Sequence, residues 1–216
     1  MDRSISSFQS ILPYNSAYTV ERQNESRIDL KSEIIRKSIH FLIALSPSMA
    51  IVNKPLTILF LLIGTLSYSM MEWLRLSGLK IPIISSLTIN ASKTRDSRNF
   101  IMGPVTLGFG ALLALLFFSP AVASIAIYAL AFGDGFASLA GKFLGKKRPV
   151  FLSGKSIEGS ITCFIAVYIS TFIVIGDFRI SIMAASTAMI VEAMPLGDYD
   201  NLAIPVTVGL VISQSI

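Results

Sequence analysis

Long apolar runs separated by short polar breaks fill the chain from residue 34 onward, and their lengths are those of membrane-crossing helices. A helix needs about 20 apolar residues to cross a bilayer, with a range of roughly 17–25. Seven segments meet that pattern, several at the short end: residues 36–53, 55–74, 101–118, 120–141, 157–176, 179–194 and 201–216. Pro55 and Pro120 open the second and fourth, at a position where proline is favoured. The seventh is the weakest, being short and containing Pro205. The sixth and seventh could instead form a less regular pair around Pro195 and Gly197. The expected architecture is all-α: a polytopic transmembrane helical bundle of about seven spans. Residues 1–33 are polar and mixed in charge, with no apolar stretch of a signal peptide, and read as a polar tail ahead of a membrane domain over 34–216.

Composition agrees with the pattern. The chain has 216 residues, 53% hydrophobic and 14% charged, where soluble domains carry about 25% charged residues. A soluble fold of this size has too little interior to hide so much apolar surface. The single cysteine, Cys163, lies within an apolar run, so it forms no intrachain disulfide and reads as a space-filling residue.

Charge then sets the expected orientation. Of the 18 Lys and Arg, only Lys54 and Arg179 fall between spans on one side. The others lie in the tail, the 75–100 loop, the 142–155 loop or the helix ends on the same side. Excess Lys and Arg mark the cytoplasmic face, which puts the N-terminus inside and, with seven crossings, the C-terminus outside. The long polar loops then face the cytoplasm, where nucleotides and magnesium are available. No repeat of the kind found in secondary transporters is evident, and no nucleic-acid partner is expected.

Candidate chemistry gathers on that face. Asp134 stands between Gly133 and Gly135 near the end of the fourth span, and a carboxylate in lipid is costly enough to mark function. Small residues follow at Ala137, Gly141 and Gly145, a spacing that also serves close helix packing. Four cations come next: Lys142, Lys146, Lys147 and Arg148. They suit phosphate, and they equally suit a positive-inside flank or an anionic-lipid anchor. Gly154-Lys155-Ser156 resembles the tail of a phosphate-binding P-loop without completing one, because Pro149 stands where its first glycine belongs. It runs into the N-terminus of the fifth span, where free N–H groups favour an anion. Glu158 falls in that helix's first turn, a place acids favour in any case. Glu192, Asp198, Asp200 and Asn201 form a second polar cluster at the same face, and one of the last three is expected to cap the seventh helix. His40, the only histidine, shares a helical face with Arg36. Arg36 and Lys37 serve at least as orientation determinants. Glu72 and Arg75 are spaced to form an ion pair, and Gly103 and Gly108 to allow close packing.

Taken in order, four segments resemble the polyprenol kinase family, which includes dolichol kinase, phytol kinase and the CTP-dependent diacylglycerol kinases. They are Arg36-Lys37-Ser38-Ile39-His40, Gly133-Asp134-Gly135 through Gly145, Gly154-Lys155-Ser156-Ile157-Glu158-Gly159-Ser160, and Glu192 through Asp198-Tyr199-Asp200-Asn201 to Pro205. Glu72 and Arg75 also look similar to the family pattern. A more distant likeness runs to phosphatidate cytidylyltransferase. The likeness covers roughly residues 34–210; the tail matches nothing. The resemblance implies a CTP-dependent kinase that uses magnesium and phosphorylates a membrane lipid alcohol: phytol, a polyprenol or dolichol, or diacylglycerol. It implies catalytic roles for Asp134, Glu192, His40 and Lys155, with metal held by Asp134, Glu192 and Asp198. Nucleotide and phosphate would be held by Gly135, Gly141, Lys142, Gly145, Lys146, Lys147, Gly154, Ser156, Glu158 and Asn201. A cytidylyltransferase acting on a lipid phosphate is the first alternative and a small transporter the second. Apolar span centres speak against transport.

Overall fold

The computed structural model describes residues 34, 36–78, 100–149, 152 and 154–216. The expected tail and the polar loop residues Lys93, Arg95, Asp96, Arg98 and Asn99 lie outside the described residues, as does Ser153. Among the described residues the structure is helical and holds no strand.

Helix α1 covers residues 36–43 and yields to a turn at Ala44 and Leu45. Pro47 explains the stop, since it has no N–H to donate and its ring crowds the carbonyl four residues back. This break inside the first expected span is not legible in the hydrophobic pattern. Helix α2 follows, Ser46–Leu76, and is interrupted where two helices meet at Asn53 (φ −155°, ψ 92°). Asn53 Oδ1 accepts from the Leu56 N–H at 3.0 Å and so starts the second half, with Pro55 in its first turn. That interruption is the expected boundary between the first two spans.

Helix α3 is Gly103–Phe117. Helix α4 runs from Pro120 to Phe143 and changes from α to π winding over Ala129–Asp134. Helix α5, Ile157–Ile175, is capped by Ser156, whose side chain accepts from the Gly159 N–H, and ends at Gly176 in the left-handed region (φ +74°). Helix α6, Phe178–Ala193, is capped by Asp177 through the Ile180 N–H. A short 3-10 turn, Gly197–Tyr199, leads into α7, Asp200–Ser213. No side chain caps α7, contrary to the expectation for Asp198, Asp200 or Asn201. The 3-10 turn brings the chain into the helix instead.

Three of these helices, α2, α4 and α5, are long and apolar enough to cross a membrane. Their burial differs sharply: two thirds of the apolar stretch of α4 is inside the bundle, against about a tenth of that of α2. Helix α4 is therefore the central post, with α2 at the outside. The surface is apolar, with Val52, Ile173 and Phe117 more than 70% exposed, while Glu72, Thr171 and Ser181 are fully enclosed. That inversion of the soluble pattern is what a lipid surround requires, and the chain is a membrane protein.

Small residues set the helix spacing, in the manner of membrane bundles. Gly108 of α3 lies against Thr65 of α2, and Gly110 against the Asn201 backbone carbonyl of α7. Gly209 of α7 receives the Phe118 ring. Leu107, Ile125, Leu130, Val167, Ile204 and Val208 fill the space between.

Candidate active site

Asp134 closes the π-wound stretch of α4 and is buried. π winding is rare and is frequent at functional sites. Here it ends in the one carboxylate of the central helix, nine residues before that helix terminates rather than at its end. Gly133 lets this stretch close on α5, since a Cβ there would lie 2.8 Å from Val167 Cγ2 and 3.3 Å from Cys163 Sγ. Helix α1 supplies the countercharge. Lys37 Nζ sits 2.5 Å from Asp134 Oδ2, and His40 Nδ1 sits 3.2 Å from the same oxygen. Lys37 and His40 are themselves buried. They are three residues apart on α1 and so share one face of it.

A second cluster forms where α5, α6 and α7 meet. Lys155, just ahead of α5, bridges the ends of the other two helices. Its Nζ is 3.2 Å from Glu192 Oε1 and 3.6 Å from Asp200 Oδ2, and it also donates to the Glu192 backbone carbonyl. Ser160 Oγ donates to Glu192 Oε2 at 3.3 Å. The two clusters act on each other: Asp200 interacts electrostatically with Asp134 and Lys37 as well as with Lys155. Arg36 adds its positive field to Asp134. The four expected catalytic residues, Asp134, Glu192, His40 and Lys155, thus belong to one polar center inside an apolar bundle.

A structural frame surrounds it. Asn201 Nδ2 donates to the Gly103 carbonyl at 3.2 Å and to Thr106 Oγ1 at 3.0 Å, pinning α7 to α3. Asp198 lies beside Gly103 at the same junction. Glu72, fully enclosed, takes two hydrogen bonds from Arg75 at 2.9 and 2.7 Å and one from the Ile101 N–H. The expected Glu72–Arg75 pair is present, and it anchors α2 to the segment that enters α3.

The glycine and lysine stretch packs along α5. Gly141 and Gly145 face Ser156, at distances that would bring an added Cβ to 3.0 and 2.8 Å from its Oγ. They close α4 onto α5. Gly135 packs against the Phe41 ring, 2.9 Å from where its Cβ would lie. Ser156 acts as the α5 cap. Glu158 Oε1 accepts from the Lys146 and Lys147 N–H groups at 3.1 and 3.4 Å, fixing loop backbone. Gly154 adopts φ +91° beside open space, which frees the backbone to turn Lys155 inward. Lys142 is exposed in the last turn of α4, and Lys146 and Lys147 are exposed on the loop that follows.

Two members of the center were not among the expected site residues: Lys37 and Asp200. Lys37 is explained well enough by the positive-inside rule. Its signal is the spacing of three to His40. Asp200 was one acid among several, and only the meeting of α6 with α7 singles it out.

The donor set suits a magnesium ion in one particular way. Magnesium takes hard oxygen ligands and is commonly held by one or two carboxylates plus substrate phosphates. Asp134, Glu192 and Asp200 supply such oxygens around one center. Among the described residues no three His, Cys, Asp or Glu side chains gather into a cage, so Asp134, Glu192 and Asp198 do not form a three-ligand site by themselves. Any ion here would share its coordination with phosphate. An open apolar groove of about 610 Å³, lined by Phe117, Phe118, Val122 and Leu210, lies toward the opposite ends of α3 and α7 and takes no part in this center.

Two curated proteins are similar to this chain. The first is a phytol kinase of Synechocystis sp., 32% identical over 144 residues, covering 61% of this chain and 59% of that protein. The second is a probable chloroplastic phytol kinase 1 of Oryza sativa subsp. japonica, 26% identical over 152 residues, covering 62% of this chain and 48% of that protein. The chain thus spans about half to three fifths of the length of these relatives. No family model matches it, and no solved structure does.

Proposed function

We propose that this chain, similar over part of its length to two phytol kinases, belongs to the polyprenol kinase family and is a kinase that phosphorylates a membrane lipid alcohol. The donor is a nucleoside triphosphate, CTP by family resemblance, and the acceptor is an isoprenoid alcohol such as phytol. The observation that carries this reading is the buried Asp134 held by Lys37 and His40 beside the Lys155–Glu192–Asp200 cluster.

Phosphoryl transfer rests on positioning and charge neutralisation more than on covalent chemistry. The acceptor hydroxyl oxygen attacks the γ-phosphorus, the bond to the bridging oxygen breaks, and the nucleoside diphosphate leaves. Lys155 is the mobile cation of the center. It follows Gly154, is a quarter exposed, and reaches both Glu192 and Asp200, so it can exchange a carboxylate contact for a phosphate oxygen. Lys37 and His40 keep Asp134 oriented. The proton of the hydroxyl passes to a carboxylate of the center or to His40, in hydrogen-bond reach of each other at Asp134 Oδ2. Magnesium, when bound, supplies further neutralisation of the phosphate charge. The bundle excludes water from these charges, which strengthens each contact. In this reading the center faces the cytoplasm, in a seven-span topology with the N-terminus inside.

The test separates kinase from cytidylyl transfer by the label that lipid retains. With purified protein, magnesium and an isoprenoid alcohol or its monophosphate in separate assays, γ-labelled CTP should label the alcohol and α-labelled CTP should label neither lipid. Label from the α-position, in a lipid phosphate carrying cytidine, would replace this reading with nucleotidyl transfer.

A further inference from the structure

The loop between α4 and α5 holds four cations, Lys146, Lys147, Arg148 and Lys155, and the structure sorts them. Lys155, at its end, turns inward to the carboxylates. Arg148 turns back on the protein: its Nη1 donates to the Gly154 carbonyl at 2.9 Å and its Nη2 to the Gly141 carbonyl at 3.1 Å. The Ile157 N–H donates to the Lys147 carbonyl at 3.2 Å. Glu158 holds the N–H groups of Lys146 and Lys147. The backbone at Lys146 and Lys147 is therefore tied down on both sides. The nearest acid, Glu158, spends one oxygen on these backbone groups, and the Lys147 charge acts on it without a close ion pair.

Holding the backbone in this way turns the Lys146 and Lys147 side chains outward. Both are exposed, and among the described residues neither ammonium has an ion-pair partner. Directly before them, Phe143 and Leu144 are about 60% exposed where apolar α4 ends. Two large apolar side chains at the end of a buried membrane helix, followed by two outward lysines on a fixed loop, match the layering of a bilayer surface. Aromatic side chains settle at headgroup level, and lysines reach from there to phosphate.

We propose that Phe143, Leu144, Lys146 and Lys147 form a docking site for anionic phospholipid headgroups of the protein's own membrane. Lys146 and Lys147 then serve lipid phosphate and not the nucleotide. Four cations face a single carboxylate on this stretch, which supplies the charge complementarity. The site is distinct from the center around Asp134, since no contact joins Lys146 or Lys147 to Asp134, Glu192 or Asp200 among the described residues. The proposal holds whether or not the kinase reading does.

The test places a reporter at the loop. In full-length protein carrying Trp73→Phe and Phe143→Trp, quenching by brominated phosphatidylglycerol is compared with quenching by brominated phosphatidylcholine. Preference for the anionic lipid is expected, and Lys146→Gln with Lys147→Gln should reduce it. Each juxtamembrane lysine is worth about fivefold in association with an anionic surface, so the pair should cost roughly twentyfold to thirtyfold. Magnesium-bound CTP should not compete. Equal quenching by the two lipids, or a preference that survives the double substitution, would overturn the site. So would displacement of the anionic lipid by CTP or by inorganic triphosphate, which would return both lysines to the nucleotide.

Discussion

Lys37 and Asp134 are 97 positions apart and meet at 2.5 Å inside an apolar bundle. Removing one member of such a pair leaves an uncompensated buried charge, at a cost of about 3–5 kcal/mol, while replacing both by apolar residues costs far less. Lys37→Met should therefore lower the midpoint of unfolding in detergent more than Lys37→Met combined with Asp134→Leu does, and equal losses would contradict the pairing. Ser156 offers a milder case. Its side chain caps α5, so Ser156→Ala should cost about 1 kcal/mol, measurable as a lowered thermal midpoint. Asp134, Glu192, His40 and Lys155 were legible in the sequence because ionisable groups beside apolar runs are expensive and so conspicuous. Lys37 was hidden by having an ordinary explanation as a topology signal. Gly141 and Gly145 had two readings, close helix packing and a backbone open to phosphate, and in the structure they are contact points for Ser156.

Elements were easier to read than their interruptions. Apolar length located α3, α4 and α5 to within a few residues, and the break at Asn53 was visible as a polar residue before proline. The turn at Ala44 and the π winding of Ala129–Asp134 were not read from span lengths, since Ser46-Pro47-Ser48 and Gly133-Asp134 are too short to divide an apolar span. The glycines of α3 were read as packing residues, and Gly108 meets Thr65 closely enough that an added Cβ would lie 3.2 Å from Thr65 Cβ. Gly108→Ala should therefore push α2 from α3 and lower thermal stability. Thr65→Ala should restore part of the loss, since it removes the atoms in closest approach. A Gly108→Ala variant with wild-type stability would show that this interface is looser than the structure has it.

At the scale of the molecule, two charge-bearing ends are predicted to face opposite sides of the membrane. Lys54 and Arg179 mark one, and the 142–155 loop the other. In a Cys163→Ser background, cysteines placed at Lys54 and Arg179 should react with an impermeant thiol reagent from the side opposite to one placed at Lys147. Labelling of all three from one side would sink the topology. The seven-span order rests on the same reading. The center itself is an assembly of five helices, α1 with α4 and α5 with α6 and α7, which is why no local motif displays it whole. The most direct measurement is transfer of the γ-label of CTP or ATP to isoprenoid alcohols by purified protein with magnesium, for the wild type beside Asp134→Asn. The account predicts labelled lipid phosphate from the wild type and a loss on the order of 100-fold or more in the variant, with helical circular dichroism unchanged. Folded wild-type protein that labels no lipid alcohol from either nucleotide would contradict it, as would an Asp134→Asn variant of undiminished activity.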